Sequence, residues 1–374
     1  MSLKSVIVVG GGLAGLIASI RLVRAGIACT LIEKKNYPFH RVCGEYISNE
    51  TLPFLKREAL FPERFNPPGI NQFQLSSVSG KTSKLSLDLG GFGISRYSLD
   101  HFLYQKAIQE GVNVILQEEV ERVTYLESED IFEVKTDRQE FPATQVIGTF
   151  GKRSKMDSAL KRSFIEKRSP YVGIKYHVRT RHPNDLIALH NFNGGYCGIS
   201  NIEDGKTNIC YLVHRDQVKR FKGIREMEEN VLFQNPFLKS IFNSSDFLFD
   251  KPETINEISF ETKEPIVNHI LMAGDAAGMI APLCGNGMAM AIHSGKIVSD
   301  IIIQAQRENH SRTWVESIYA NQWKSAFAWR LRTGRLIQNY LFGSERSSRM
   351  AINLAIHSRW LANQIIKKTH GVTF

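Results

Sequence analysis

Gly10-Gly11-Gly12-Leu13-Ala14-Gly15 follows directly on Val6-Ile7-Val8-Val9 and opens a segment with helical periodicity from Leu13 to Ala25. A second apolar run, Ala28 to Ile32, comes next. Strand, glycine turn, helix and strand make one βαβ unit, which commits this part of the chain to a parallel sheet and an α/β fold. In the Gly10-x-Gly12-x-x-Gly15 spacing the first glycine permits the tight turn. The second lets backbone N–H groups approach a pyrophosphate, and the third allows close packing of helix on strand. The helix N-terminus supplies partial positive charge, so the phosphates need no lysine. Glu33 stands 18 residues after Gly15, where a carboxylate accepts hydrogen bonds from ribose hydroxyls and disfavours a 2′-phosphate. The motif implies a dinucleotide, and by itself leaves NAD and FAD equally open.

At 374 residues, with 43% hydrophobic and 22% charged residues, the chain has the material for two packed domains and is neither disordered nor fibrous. No uninterrupted apolar run reaches about eighteen residues, so a spanning helix is not expected. The apolar stretch from Val6 to Ile20 is broken by three consecutive glycines and reads as folded structure rather than a secretory leader. Five cysteines, Cys29, Cys43, Cys197, Cys210 and Cys284, form no CxxC pair, which predicts no metal site and fits a reducing cytoplasm. The net charge of +10 suits phosphates, anionic lipid heads or acidic substrates. No nucleic-acid-binding module is recognisable, so nucleic acid is not an expected partner.

Farther along, Gln72 to Leu89 alternates around a Ser-Gly-Lys turn and reads as a hairpin of a different sheet. Leu99 to Gln109 is helical, Val112 to Leu116 strand-like, and Val120 to Leu126 with Phe132 to Thr136 a further hairpin. Alternating blocks at Tyr171–Arg179, Leu186–His190, Tyr196–Ser200 and Thr207–Val213 form a mainly antiparallel sheet. Ile270 to Ala273 is again a buried strand, with a helix from about Asn286 to Gln304. These runs predict a discontinuous Rossmann-like domain (1–70, 95–165 and 255–305) threaded through an antiparallel substrate domain (71–94 and 166–254). Basic helices follow over 306–374. From Lys324 onward nine Lys and Arg face a single acid, Glu345, with apolar residues interleaved. This tail is expected to pack on the core with solvated basic faces, or to touch an anionic membrane surface from the cytoplasmic side.

Leu271 onward reads LMAGDAAGMIAPLCGNGMAMAIHSG, a strand running into Gly274-Asp275, Pro282 and Gly285-Asn286-Gly287. So many small residues after a buried strand suggest a ligand close to the backbone. The segment resembles the flavin-binding motif of FAD enzymes of the aromatic-hydroxylase fold, and more closely their geranylgeranyl reductase branch. Arg41-Val-Cys43-Gly44-Glu45-Tyr46 resembles that branch's Cys-Gly segment, and Arg96-Tyr-Ser-Leu99-Asp100 its arginine-led helix. The resemblance implies FAD. It gives the nucleotide end Gly10, Gly12, Leu13, Ala14, Gly15, Glu33 and Lys34, with Val120 meeting the adenine through its backbone. Gly44, Gly274 and Asp275 would follow, Asp275 on a ribityl hydroxyl, and the loop with Pro282, Gly285, Asn286, Gly287 and Met288 would line the isoalloxazine. Arg41 and Arg96 would face the cofactor and could grip pyrophosphate oxygens, the alternative being surface ion pairs. Where aromatic hydroxylases carry an Asp-Gly pair, this chain has Phe150-Gly151-Lys152-Arg153, which leaves NADH or NADPH open as donor and Lys152 and Arg153 as phosphate ligands or a solvated turn.

Reduced flavin passes hydride from N5 to an activated double bond or uses oxygen to hydroxylate an aromatic ring, and the two outcomes need different sites. Hydride transfer to an alkene needs a proton donor on the other carbon. Cys43 is the first candidate, with Arg41 its nearest cation in sequence, and Cys284 the second. His293 is expected to be a packing histidine. Phe73, Tyr171, Tyr176, Phe192, Tyr196 and Tyr211 would roof the flavin, consistent with an isoprenoid, quinone or polyketide phenol as substrate. The leading expectation is an FAD-dependent reductase of such a molecule, with a single-component monooxygenase as the alternative. A non-enzymatic lipid-binding protein of the GDP dissociation inhibitor type is the reading from another class. A halogenase is disfavoured by the missing Trp-x-Trp-x-Ile-Pro segment.

Overall fold

The computed structural model describes all residues except 1–4, 167–168, 257, 282–284, 342, 359, 361–363, 365–366 and 368–370. In chain order the elements are β1 (Ser5–Val9), α1 (Leu13–Arg24), β2 (Ala28–Glu33), β3 (Tyr46–Ser48), α2 (Leu52–Arg57), β4 (Gly69–Ser76), β5 (Thr82–Gly93) and α3 (Arg96–Gln109). Then come β6 (Asn113–Leu116), β7 (Val120–Leu126), β8 (Ile131–Thr136), β9 (Glu140–Ala143), β10 (Gln145–Gly148) and α4 (Lys155–Ala159). The middle of the chain supplies β11 (Tyr171–Arg179), β12 (Leu186–Phe192), β13 (Gly195–Asn201), β14 (Thr207–His214), α5 (Arg215–Lys219), α6 (Ile224–Val231) and α7 (Pro236–Ser244). It closes with β15 (Asp246–Phe247), β16 (Glu253–Asn256), β17 (Ile266–Val267), β18 (Ile270–Met272), α8 (Gly287–Glu308), α9 (Arg312–Leu341) and α10 (Glu345–His357).

The first sheet has the order β17-β18-β10-β1-β2-β6, parallel except at the β17 edge. Its strands are short apolar runs because both faces are covered, the pattern that parallel sheets require. Helices α1 and α8 lie against each other, and at Gly295 a Cβ would come within 2.6 Å of the Ala14 carbonyl, so this contact needs a residue without a side chain. Val6, Val8, Leu16, Ile17, Ile20, Leu31, Ile147, Leu271 and Val298 are fully buried in one core. The hairpin read at Val120–Thr136 forms, but with β9 it makes a separate three-stranded meander.

The second sheet runs β15-β11-β14-β13-β12-β4-β5-β3, with β16 also on β11. Strand β3, between the two nucleotide-motif segments, joins this sheet through Tyr46↔Gly93. Period-two alternation gives the sheet two different faces. Val172, Ile174, Tyr176, Phe192, Ile199 and Tyr211 point away from the first domain into a core with Met227, Val231, Leu238 and Phe242 of α6, α7 and their connection. The opposite face carries Leu75, Leu189, Tyr196, Leu212 and Tyr171, with Ala351 and Ile352 of α10 and Met279 packed on it. The aromatic roof expected from the sequence is therefore corrected to Phe73, Tyr171 and Tyr196. Tyr176, Phe192 and Tyr211 face the other way, and the hydroxyls of Tyr176 and Tyr211 both donate to Glu228.

Helix α9 packs through Val315, Tyr319, Trp323, Phe327 and Leu331. Arg330 reaches buried Glu50 at 2.9 Å, and Arg349 pairs with Glu345. No described helix is long and apolar enough to cross a membrane.

Candidate active site

The turn after β1 is built by close approaches. Gly10 has φ +106°, and a Cβ there would lie 2.6 Å from the Thr149 carbonyl oxygen. A Cβ at Gly15 would lie 2.2 Å from the Gly10 carbonyl, and one at Gly11 would strike the Tyr37 hydroxyl, which donates to the Gly11 carbonyl. Thr149 tightens the turn from the next strand through its hydroxyl on the Val9 and Gly10 carbonyls. Gly12 differs: the one atom near a Cβ there is Arg96 Nη2, 3.8 Å away. Gly12 is also the N-cap of α1 and offers no side chain to the first turn, which contains no acid. A twelve-residue helix thus presents its N-terminal N–H groups to a space flanked by a guanidinium, which is what a pyrophosphate requires.

Four charged side chains frame that space. Glu33, nearly buried at the end of β2, accepts the Gly11 N–H at 2.9 Å and the Lys35 N–H at 3.1 Å, and Arg41 Nη2 lies 3.3 Å away. Asp100 accepts a bidentate pair from Arg96 at 2.6 and 2.7 Å and a third bond from Arg41 Nε at 3.1 Å. Burial opposes the Arg96 charge, but Asp100 outweighs it, and with Cys43 and Asp275 adding their fields the guanidinium pKa is raised. Arg41 and Arg96 are thus both ion-paired to internal acids rather than lying in surface pairs, and Arg96 also borders the space at the α1 N-terminus. Lys34 turns to Glu119 in an exposed pair, and Val120 is buried at the start of β7.

The second loop meets the first. Gly274 follows β18 with φ +62°, and a Cβ there would come within 3.2 Å of Ala14 Cβ and 3.7 Å of Ala291 Cβ, so the Gly274 turn touches both α1 and α8. Its N–H donates to Ser294. The Asp275 carbonyl accepts a bond from Lys263 at 2.8 Å, whereas no hydrogen bond engages its carboxylate among the described residues. Lys263 also reaches the Lys152 carbonyl at 2.7 Å, and burial lowers its pKa to about 8. Gly285, with φ +67°, buried Asn286 and Gly287 lead into α8, whose N-terminus points from this loop, and Met288 is buried behind them. Pro282 and Cys284 lie outside the described residues. His293 stacks on Phe374 at 3.9 Å, and burial followed by the Arg330 charge lowers its pKa to about 4, as befits a neutral packing histidine.

Between the two loops runs Arg41-Val42-Cys43-Gly44-Glu45-Tyr46, fastened to the second sheet at almost every residue. The carbonyls of Arg41, Val42 and Cys43 accept from Lys175 (3.1 Å), Lys152 (3.2 Å) and Asn208 (3.2 Å). Lys152 therefore serves the backbone of this strap, and Arg153 donates to the Ile165 carbonyl; neither forms a simple solvated turn. Glu45, in left-handed backbone at φ 54°, accepts the Arg96 N–H at 2.8 Å and Lys175 at 2.6 Å, with His177 Nε2 also 2.6 Å away. Burial favours a neutral Glu45, but the Lys175 charge and His177 more than offset it and hold the carboxyl at about 2. The Cys43 thiol is half-buried, and space beside Gly44 is open within 4 Å.

Sequence reasoning missed Tyr37, Thr149, Lys175, His177, Asn208 and Lys263. Lys175, His177 and Asn208 stand at alternate positions of strands otherwise read as apolar, a polar exception on one sheet face that the alternation could have exposed. Tyr37, Thr149 and Lys263 carry no such signal, since their roles come from loops that meet only in the fold.

The cradle at Gly12, the unengaged Asp275 carboxylate and the glycine-built approach at Gly274 fit an extended FAD laid from α1 to α8. The chain matches the FAD binding domain family over residues 4–331. It is 24% identical over 356 residues to a digeranylgeranylglycerophospholipid reductase of Methanosarcina acetivorans, covering 89% of this chain and 84% of that one. Its fold is similar to a geranylgeranyl bacteriochlorophyll reductase-like protein of Thermoplasma acidophilum (TM-score 0.78, 17% identity, 98% of this chain and 96% of that one). A flavin-dependent brominase is equally similar in fold (TM-score 0.78, 16% identity, 99% and 94%). With the family match spanning most of its length and the cofactor cradle formed, the chain belongs to the FAD binding domain family and is an FAD-dependent oxidoreductase.

Proposed function

We propose that this protein reduces a hydrophobic small molecule, an isoprenoid, quinone or polyketide-like compound, with NADH or NADPH as the electron source. The observation that carries the reading is the inner face of the second sheet. Its polar end (Lys175, Asn208) fastens the Cys43 strap, while its other end, from Phe73 and Leu75 to Leu189, Tyr196 and Leu212, is apolar and closed by α10. Bound FAD, once reduced by NADH or NADPH, would supply hydride from N5. The chain's own residues do the rest. The α1 N-terminus and Arg96 would hold the pyrophosphate, Asp275 would bind a ribityl hydroxyl, and the α8 N-terminus would favour negative charge on the ring. The apolar face excludes water and seats the substrate body. Cys43, held in place by three carbonyl contacts on its strap, gives its Sγ proton to the substrate carbon that does not receive hydride.

Anaerobic assays with NADH or NADPH and detergent-solubilised isoprenoids, quinones and polyketide phenols test this. Turnover without oxygen is expected, and Cys43→Ala should keep full FAD occupancy while losing about 100-fold in turnover. Turnover only with oxygen, with oxygen incorporated into an aromatic product, would replace this reading by that of a monooxygenase. The same reading sets a lipid surface against the C-terminal helices, where Leu336, Met350 and Trp360 are exposed beside Arg332, Arg346 and Arg349.

A further inference from the structure

We propose that Gln338 binds the hydroxyl group of a hydroxyl-bearing apolar substrate, an inference that rests on reading the inner face of the second sheet as the substrate seat. Gln338 belongs to the last turns of α9 and is only 6% exposed. Neither its Oε1 nor its Nε2 has a hydrogen-bond partner among the described residues. Its burial follows from the helix: Phe327, Leu331, Gly334 and Gln338 recur at helical spacing and form one buried stripe. Phe327 and Leu331 face the first core. A Cβ at Gly278 would come within 3.0 Å of Leu331 Cδ1, and the next residue, Met279, already packs on the inner-face cluster. Two contacts carry the end of α9 onto that cluster. Arg335 donates to the Phe260 carbonyl at 3.3 Å, and the Phe260 ring lies 5.8 Å from that of Tyr171. Just past the helix, the Gly343 carbonyl accepts the Gly194 N–H at 2.9 Å, in the turn between β12 and β13. Gln338 lies between these two anchors, over the part of the inner face that Tyr171, Tyr196 and Leu212 make apolar.

A leucine would fill the same volume with nothing to satisfy, whereas a buried amide without a partner on either atom is destabilising and rare in native proteins. A water in its place would need two to four polar partners of its own. The backbone groups that anchor α9 here are already paired, the Phe260 carbonyl with Arg335 and the Gly194 N–H with Gly343. The missing partner is therefore one that the folded chain does not contain, and its chemistry follows from the amide, which donates through Nε2 and accepts through Oε1. A hydroxyl serves both atoms: its oxygen accepts from Nε2 and its proton goes to Oε1. A quinone carbonyl or an ether oxygen only accepts and leaves Oε1 unpaired, and a hydrocarbon end serves neither. Among apolar substrates the residue thus selects those that carry a hydroxyl, an isoprenoid alcohol or a phenol.

Gln338→Leu keeps the volume and removes both polar atoms. Without substrate, the FAD-loaded variant should melt at or above the wild-type temperature, because the unpaired amide is gone. The binding test titrates FAD-loaded protein with a detergent-solubilised polyprenol and an alkylphenol, each beside its methyl ether, and follows flavin fluorescence. Wild type should bind at least one of the two hydroxyl compounds about 10-fold more tightly than its ether, and the compound that does so tells an isoprenoid from a phenolic headgroup. Gln338→Leu should bind hydroxyl compound and ether alike. Discrimination kept by the variant would overturn the proposal, as would wild-type protein that binds hydroxyl compounds and ethers equally. So would a substrate-free variant less stable than wild type, since the amide would then have its partner within the chain. Wild-type protein that binds none of the four compounds would overturn the hydrophobic-substrate reading itself, and this contact with it.

Discussion

The two ends of the cofactor cradle are finished to different degrees. At the nucleotide end every charged group has found another: Glu33 holds the Gly11 N–H, and Asp100 is gripped by Arg96 and Arg41. Farther along the cradle, among the described residues, no hydrogen bond engages the Asp275 carboxylate, whose backbone carbonyl is held by Lys263. On the proposed reading, the acids and arginines at the nucleotide end are already preorganised by one another, and the other end is where a bound FAD would add bonds. Changes at the first end should therefore alter folding or overall affinity, and changes at the second should appear only when FAD is present.

The largest effect is expected where a strap between the ends is anchored by buried charge. Glu45→Gln leaves Lys175 buried without its counter-charge and should lower unfolding stability by about 3–5 kcal/mol, read by urea titration. The same carboxyl gives a pH signature. Because its folded pKa lies near 2, below its ordinary 4.5, its stabilising contribution is full above pH 4.5 and lost as pH falls towards 2. Glu45→Gln should flatten that acid limb, and an unchanged limb would remove Glu45 as its source.

Gly12→Asp tests the clamp. The new carboxylate would cap α1 and change FAD-free stability by only a few tenths of a kcal/mol, while repelling the pyrophosphate by about 4 kcal/mol at close range. FAD affinity should fall on the order of 1000-fold, and a variant that binds normally would show that the phosphates lie elsewhere.

Lys263 joins the loop after β10 to the Asp275 turn. Its folded pKa of about 8 against an ordinary 10.5 means that the native state holds fewer protons between those values, so stability should rise with pH across that window. Lys263→Met should abolish a rise on the order of 2 kcal/mol in denaturation curves at pH 8 and 10.5; persistence of the rise would assign it to another group. The smallest effect concerns the tail. Sedimentation with phosphatidylglycerol vesicles should show binding that weakens with salt and drops a few-fold in Trp360→Ala, and no binding at low salt would separate the basic helices from any lipid surface.

The nucleotide half was legible because its physics is local. Gly10, Gly12, Gly15 and Glu33 sit within one βαβ unit, where spacing alone fixes geometry, and Gly274-Asp275 carries the same kind of signal. The aromatic roof was only half legible: Tyr176, Phe192 and Tyr211 alternate just as Tyr171 and Tyr196 do, and nothing local tells which face of a sheet meets the cofactor when helices cover both. Arg41 could be read as facing the site, yet its partner Asp100 comes from helix α3, 59 positions on, so the ion pair that orients it was beyond any motif. The Cys43 strap was found by its resemblance, but its fastening by Lys175, Lys152 and Asn208 depends on contacts between residues more than a hundred positions apart.

The most direct test is a fluorescence titration of FAD-free protein with FAD, run for wild type, Gly12→Asp and Asp275→Ala. One FAD per chain should be quenched in wild type, and both variants should lose tight binding although their substitutions stand at opposite ends of the cradle. Folded wild-type protein that gives no saturable quenching, or a loss in only one of the two variants, would contradict a single FAD extended from α1 to α8.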